Sequence, residues 1–407
     1  MEHEPLIVRE SFLSRIRPLY DSNMIKAILG PRRAGKSVAV SMIRDDIDAD
    51  AEHKIYVDFE DMDNEPLTDP AALHDYLKKI MKDGSRYYIF LDEIQHVKSF
   101  EKVISSIRNK FDCSIFITGN NSRMLSGELS TLLTGREMTF EMLPFSYSEA
   151  GRYLEALGKP IPDRFLEDYI RCGGFPQRLQ MPSDGLARKF LNELYDAILE
   201  KDIKRRHKRL DMKKFRKVSA FVLANCGNDF SSKSISDYLI AEGREVSSQT
   251  VETYVDIMEE AYLIKRVPQY DISGKRVMDS KPKNYALDNG MRYIMTNSVD
   301  IQGGFFLENM VYLELLGRGY EVYVGKKKSG GGIDFVAVKD GKKCFIQVAY
   351  LLATEETVKR EFGAYGNVKD ASPKYVMSMD TIDMSRDGIV HMNIEDFLLG
   401  KMDLYLT

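Results

Sequence analysis

Residues 30–37 read Gly-Pro-Arg-Arg-Ala-Gly-Lys-Ser and fit the pattern GxxxxGK[ST]. This run constrains the fold more than any other feature, because it works only between a strand and a helix. Glycines let the backbone curl, so that its amides point inward at a nascent helix N-terminus and can cradle phosphate oxygens. The flanks meet that demand: strand-like IKAIL precedes the loop and helical SVAVSMIR follows it.

The pattern around the loop repeats. Runs 25–29, 54–59, 87–92, 114–118 and 138–143 read as strands, with helical stretches such as 38–43, 71–81 and 101–110 between them. Strands separated by helix-length intervals imply βαβ units, hence an α/β domain over 1–160 with a parallel sheet and helices on both faces. A chain of 407 residues exceeds one core, so further domains are expected. Residues 161–295 are mostly helical: 162–171, 185–206, then three short helices at 213–225, 232–241 and 248–260. A β-like YLIKRVPQY and KNYALD follow, and three helices plus a hairpin read as a winged helix-turn-helix. Residues 296–407 change texture to a helix at 305–316, strand-like EVYVG, IDFVAV and CFIQVAY, helical 354–365 and the strand KYVMSM. That is a small α/β domain.

The loop predicts a nucleotide site for ATP with Mg2+. Gly30, Pro31, Arg32, Arg33, Ala34, Gly35, Lys36, Ser37 and Val38 would surround the phosphates, with Lys36 reaching the β- and γ-phosphates and the Ser37 hydroxyl on the metal. The apolar run Tyr87–Leu91 ends in Asp92-Glu93, where Asp92 would hold magnesium and Glu93 would activate the attacking water. The alternative for this pair is a helix N-cap after a strand. The strand SIFITGN ends at Asn120 and Asn121, candidates to touch the γ-phosphate or the water, Asn120 preferred; the alternative is a turn favoured by asparagine backbone chemistry.

The run ITGNNSRMLSGELSTLLTGR, then LPFSYSEA, CGGFPQRL, YLIKRVPQY, KNYALDNGMR, FLENMVYLEL, IDFVAV and IQVAY, resembles bacterial and archaeal AAA-type ATPases with an uncharacterised C-terminal domain. The resemblance implies a P-loop fold in which the sensor strand lies between the two Walker strands. It also implies a basic group near the phosphates, and Arg136 stands at the matching position: an arginine finger acting on a neighbouring subunit, or a surface salt bridge. Walker sites of this superfamily commonly use a neighbour's arginine, so homo-oligomers are expected.

Two further regions carry chemistry. Residues 201–217 hold ten Lys or Arg in 17 positions against two Asp, in a chain of net charge -4. Such density attracts phosphate backbones through counterion release, although charge runs are also ordinary solvated faces. With the winged helix beside it, duplex or branched DNA is the expected partner; the Ser247–Tyr254 helix is the candidate reading helix, whereas protein contact is the competing use. In the C-terminal region, Glu308, Asp334 and Gln347 resemble the PD-(D/E)xK nuclease arrangement, so the domain is expected to be restriction-endonuclease-like. That chemistry needs acidic metal ligands and a lysine, but the lysine position holds Ala349 and Gln347 is a neutral amide. Lys326, Lys327 or Lys328 could substitute. The expectation is a degenerate site that binds without cutting, set against an active ATP-dependent nuclease and against a nucleotide-dependent switch for protein partners.

The four cysteines are scattered singly, with no CxxC or Cys/His cluster, so neither zinc nor disulfides are expected. The charged N-terminus MEHEPLIVRE has no apolar h-region, and no run approaches bilayer-spanning length. A cytoplasmic protein without a membrane partner is the expectation.

Overall fold

The computed structural model describes residues 5–406 apart from 83, 125–134, 242, 244, 297–303, 328, 329 and 367; the side chains of 279–281 also lie outside the description. The chain divides into two compact units, Met1–Leu143 with Glu260–Tyr262, and Pro144–Glu259 with Leu263–Thr407.

The first unit is a five-stranded parallel sheet with flanking helices. Its strands are β1 (Ile25–Leu29), β2 (Lys54–Asp58), β3 (Tyr87–Asp92), β4 (Cys113–Gly119) and β5 (Glu137–Glu141), in the order β2-β3-β4-β1-β5. β1, β3 and β4 are buried at every residue, as central strands covered on both faces must be. The helices are α1 (Glu10–Ile16), α2 (Lys36–Asp46), α3 (Pro70–Ile80) and α4 (Phe100–Lys110). α3 starts where it does because Asp69 accepts from Ala71 N–H and Ala72 N–H at 3.0 and 2.9 Å, with Pro70 fixing the first turn. Phe12, Ile28, Val40, Ile43, Phe90 and Phe116 belong to one core, in which the Phe90 and Phe116 rings stack at 4.9 Å. β5 begins one residue before the expected strand and ends two before it. The chain visits β1, crosses to β2, steps back through β3 and β4, then hops over β1 to β5. This reversal opens a crevice at the C-terminal ends of β1, β3 and β4, where such sheets bind ligands.

The second unit begins with α5 (Tyr147–Ala156), α6 (Phe165–Cys172) and α7 (Asp184–Ala197). α5 opens with a capping box between Ser146 and Glu149. Tyr147 packs on Phe165 and Tyr169 at 5.2 and 5.4 Å, so the expected break at 160/161 falls inside this unit. The helix expected over 185–206 continues after α7 as a π-helix, Ile198–Lys204. Then come α8 (Met212–Ala224), α9 (Ser232–Ala241) and α10 (Ser248–Glu260), and the hairpin β6 (Ile264–Asp271) with β7 (Arg276–Ala286). This hairpin does not stand apart from the C-terminal strands. β6 pairs in parallel with β8 (Glu321–Lys326), Gln269 opposite Val324. With β9 (Gly332–Lys339), β10 (Lys342–Val348), β11 (Lys374–Ser378) and β12 (Val390–Asn393) they form one seven-stranded sheet, β12-β11-β10-β9-β8-β6-β7. The expected boundary at 295/296 therefore separates strands that share hydrogen bonds. α11 (Phe305–Gly317) and α12 (Glu355–Gly363) accompany this sheet.

Candidate nucleotide site

The loop leaves β1 at Gly30, whose N–H donates to the Gly119 carbonyl at 3.3 Å. A Cβ at Gly30 would lie 2.1 Å from the Met142 carbonyl oxygen, so only glycine fits between the loop and the chain beyond β5. Gly35 has φ +95° and Arg33 φ 65°, left-handed positions that turn the loop into α2. No side chain caps α2, so its first N–H groups face the concavity of the loop. Arg9, from the start of α1, braces the loop from outside by donating to the Ala34 and Leu143 carbonyls at 3.3 and 2.9 Å.

Lys36 is buried, and its ammonium donates to the Gly30 and Pro31 carbonyls at 3.2 Å each, 3.5 Å from a Glu93 carboxylate oxygen. Asp92 is 1% exposed. Its carboxylate accepts from the Thr118 hydroxyl and from the Tyr56 hydroxyl, the latter at 3.0 Å. The Thr118 oxygen in turn accepts the Glu93 N–H at 2.8 Å. Glu93 precedes a short 3-10 helix but makes no side-chain cap, which removes the N-cap reading for it; its backbone holds φ 54° instead. The Gln95 amide donates to Glu93 and, at 3.3 Å, to the Asn120 side-chain oxygen. Asp58, at the end of β2 opposite Asp92 in the register, is raised above the usual carboxylate range by burial and then by Asp92.

The structure thus brings Lys36, Asp92, Glu93 and Asn120 together at the sheet edge that carries the loop. Ser37 and Val38 sit exposed on the first turn of α2, and Ala34 is buried. Arg32 forms an ion pair with Glu60 at 3.2 Å, and Arg33 is exposed. Arg136 is not brought to this site. Its carbonyl accepts Ile25 N–H at 2.8 Å, which puts it before β5 at the opposite edge of the sheet. Five strand residues at about 3.3 Å each separate that edge from the loop, about 16 Å. The run 125–134 before Arg136 lies outside the described residues.

Sequence reading missed Tyr56, Thr118 and Gln95 as organisers of the carboxylates. The parallel register holds the signal for one of them: Leu91 lies opposite Ile117, which places Thr118 beside Asp92. Tyr56 and Gln95 carry no comparable signal, because their reach depends on side-chain direction.

The residues fit ATP and magnesium: a loop of inward amides, a buried lysine held over it, and a buried carboxylate with an exposed serine at the helix start.

In the second unit, Glu308 on α11 accepts from Tyr285 O–H at 2.5 Å and from Lys283 at 3.3 Å, both on β7. Asp334 on β9 accepts Val348 N–H at 2.8 Å, and its own N–H donates to Gln347 Oε1 at 3.2 Å. Burial, then the nearby Glu308, pushes the Asp334 carboxyl up to about 8. Glu308, Asp334 and Gln347 therefore lie near one another. Of the lysines expected to substitute, Lys326 pairs with Asp229 at 3.4 Å and Lys327 donates to the Ala364 carbonyl at 2.9 Å, while Lys328 lies outside the described residues. In the basic segment, Lys204 and Arg216 pair with Glu200 and Asp196. Among the described residues, Lys201, Arg205, Lys208, Arg209, Lys213 and Lys217 have no acidic partner. Lys214 donates to the Glu245 carbonyl at 3.0 Å, tying the start of α8 to the turn that leads into α10.

Residues 22–151 match the AAA domain family, and residues 163–300 match a domain of unknown function, DUF8612. An uncharacterised protein of Haemophilus influenzae is 32% identical over 403 residues, 97% of this chain and 99% of its own. One of Methanocaldococcus jannaschii is 28% identical over 393 residues, 92% of this chain and 85% of its own. Among solved structures, the Walker-type ATPase of Pyrococcus abyssi aligns with a TM-score of 0.50 at 14% identity, over 71% of this chain and 96% of that one, a likeness of fold. No helix among the described residues is long and apolar enough to cross a membrane. Matched almost end to end by the H. influenzae protein, the chain belongs to one family with it, and the sheet that carries the phosphate loop lies within the residues that match the AAA domain.

Proposed function

We propose that this protein hydrolyses ATP and couples that reaction to DNA. The observation that carries the first part is the meeting of Lys36, Asp92, Glu93 and Thr118 at the mouth of one phosphate loop. Ser37 and Asp92 would hold Mg2+, which supplies charge neutralisation at the β- and γ-phosphate oxygens. Lys36, held over the loop, orients the same oxygens. Glu93 accepts a proton from water as the water oxygen bonds to the γ-phosphorus; the bond to the β–γ bridging oxygen breaks, giving ADP and phosphate. Gln95 fixes the Glu93 carboxylate, and Asn120 lies on the other side of that amide. Arg136 stands at the far edge of its own sheet, so a role on phosphate would be toward a neighbouring copy in a homo-oligomer; the other reading is a surface salt bridge.

The unpaired cations of 201–217 support DNA as the partner, duplex or branched. Lys214 joins them to the start of α10, where Ser247 caps the helix through Thr250 N–H at 3.1 Å. This surface reads backbone charge. α10 offers less to bases on its other side, where Asp256 and Glu259 are engaged by Arg266 at 2.5 and 2.8 Å. The competing reading, a nucleotide-dependent switch for protein partners, keeps the same ATPase site.

The test is the ATPase rate with and without duplex, single-stranded and four-way-junction DNA, with Glu93→Gln as the blank. Stimulation by one form, with affinity falling about 10³–10⁵-fold between 50 and 200 mM salt for six to ten phosphate contacts, is the expected result. Hydrolysis unaffected by every DNA would overturn the coupling and favour the switch.

A further inference from the structure

The Glu308–Asp334 cluster stands where a nuclease-like domain would keep a divalent metal, yet it already holds a cation of the chain's own. Glu308 Oε1 receives two donors, Tyr285 O–H and the Lys283 ammonium, which fills that one oxygen. Asp334 Oδ2 accepts Val348 N–H, and Gln347 Oε1 accepts Asp334 N–H. Among the described residues, the sole trio of Asp, Glu, His or Cys within reach of one ion is elsewhere, at Asp168, Cys172 and Asp184. That trio is already neutralised by Arg171 and Arg178 at 3.0 and 2.7 Å. Tyr285 is fully buried, its ring stacked on Tyr312 at 4.6 Å and tilted against Phe335 at 5.6 Å, so the hydroxyl that shares Glu308 with Lys283 is fixed in place. Lys283 itself is mostly buried, with a side chain 15% exposed.

We infer that Lys283 is the resident cation of this cluster: its ammonium stands in for a divalent ion beside Glu308 and Asp334, and it excludes metal from the site. A divalent ion placed here would meet the Lys283 ammonium, 3.3 Å from Glu308 Oε1, and like charges at close range in a part-buried site repel. The lysine comes from β7, which sequence places in the winged-helix hairpin; pairing of β6 with β8 delivers it to the C-terminal cluster. With Lys283 in place, the cluster takes no divalent ion. This stands apart from the ATPase reading and is tested without nucleotide.

The experiment uses the full chain carrying Asp92→Asn, so that the phosphate-loop site does not report, and titrates Mn2+ alone by electron paramagnetic resonance. The parent binds no ion at the cluster. Lys283→Met gains one bound Mn2+ per chain, and adding Asp334→Asn removes it. Lys283→Arg, which keeps the charge, gains none. Where the methionine variant fails to fold by circular dichroism, Lys283→Gln, which keeps a donor to Glu308, carries the same comparison. An ion already bound by the parent and lost on Asp334→Asn overturns the inference, as does a folded Lys283→Met or Lys283→Gln chain that binds none.

Discussion

Thr118→Val tests the organisation of the nucleotide site most directly. Thr118 is fully buried at the end of β4, and its hydroxyl serves two neighbours at once, donating to Asp92 and accepting from Glu93 N–H at 2.8 Å. Valine keeps the shape and removes both bonds. The bond to the carboxylate contributes about 1.5–3 kcal/mol, and an unpaired buried N–H costs about 1–3 kcal/mol. Added burial of a methyl offsets about 1 kcal/mol of this. The net local loss is about 3 kcal/mol, or about a hundredfold in exchange protection for the peptides spanning β3 and β4. Glu93 sits at φ 54°, a left-handed conformation that costs a non-glycine residue about 1–2 kcal/mol. Without the Thr118 acceptor its backbone relaxes toward the ordinary region and the carboxylate moves off line. The hydrolysis rate should fall at least about tenfold, about 1.4 kcal/mol. Nucleotide affinity should change little, since the hydrogen bonds of the Thr118 hydroxyl go to Asp92 and Glu93 and not to residues 30–37. Amide exchange, single-turnover hydrolysis and nucleotide titration on the same protein decide the matter. Unchanged exchange and rate, or loss of binding in step with rate, would refute the argument.

Gly30→Ala places a methyl 2.1 Å from the Met142 carbonyl oxygen, a backbone atom with no rotamer to escape into. Overpacking of this kind costs about 1–3 kcal/mol, and nucleotide affinity should drop about tenfold or more by calorimetry. Arg136→Ala should depress ATPase while leaving ATP binding largely intact, by up to about 10³-fold if it serves a neighbour's phosphates; equal loss of binding would remove that role. Asp288 is fully buried, accepting Gly174 N–H and Gly290 N–H at 2.8 and 2.7 Å, and burial pushes its carboxyl up to about 7. Its folded state holds the proton more tightly than the unfolded chain, so its contribution is full below about pH 4 and is lost as pH rises through about 7. Stability of the second unit, read by exchange at the Gly173–Gly174 turn from pH 4 to 8, should fall less steeply in Asp288→Asn than in the parent.

The loop residues 30–37, the carboxylates Asp92 and Glu93, and the strand–helix alternation were legible in sequence because each depends on local chain geometry. Phosphate-cradling amides need glycine at fixed offsets, a doubly covered strand must be apolar throughout, and a parallel sheet demands helices between its strands. The place of the Thr118 strand between β3 and β1 came from family resemblance rather than periodicity, and the sheet order β2-β3-β4-β1-β5 agrees with it.

What tertiary structure alone decided involves atoms far apart in the chain. Tyr56 reaches Asp92 across 36 positions, and Thr118 meets it across 26. Lys283 reaches Glu308 across 25 because one hairpin strand is shared between two regions that composition separates. Position 349 holds alanine where the resemblance calls for lysine; a buried carboxylate is answered by whichever cation the fold brings within about 3 Å. Likewise Arg136 follows the loop in sequence by about a hundred residues, but only the direction of β5 shows that it lies at the wrong end of its own sheet. Sequence determines which chemistry the chain carries, since residue type and spacing set what an atom can donate or hold. Pairing between distant strands determines which of those atoms meet.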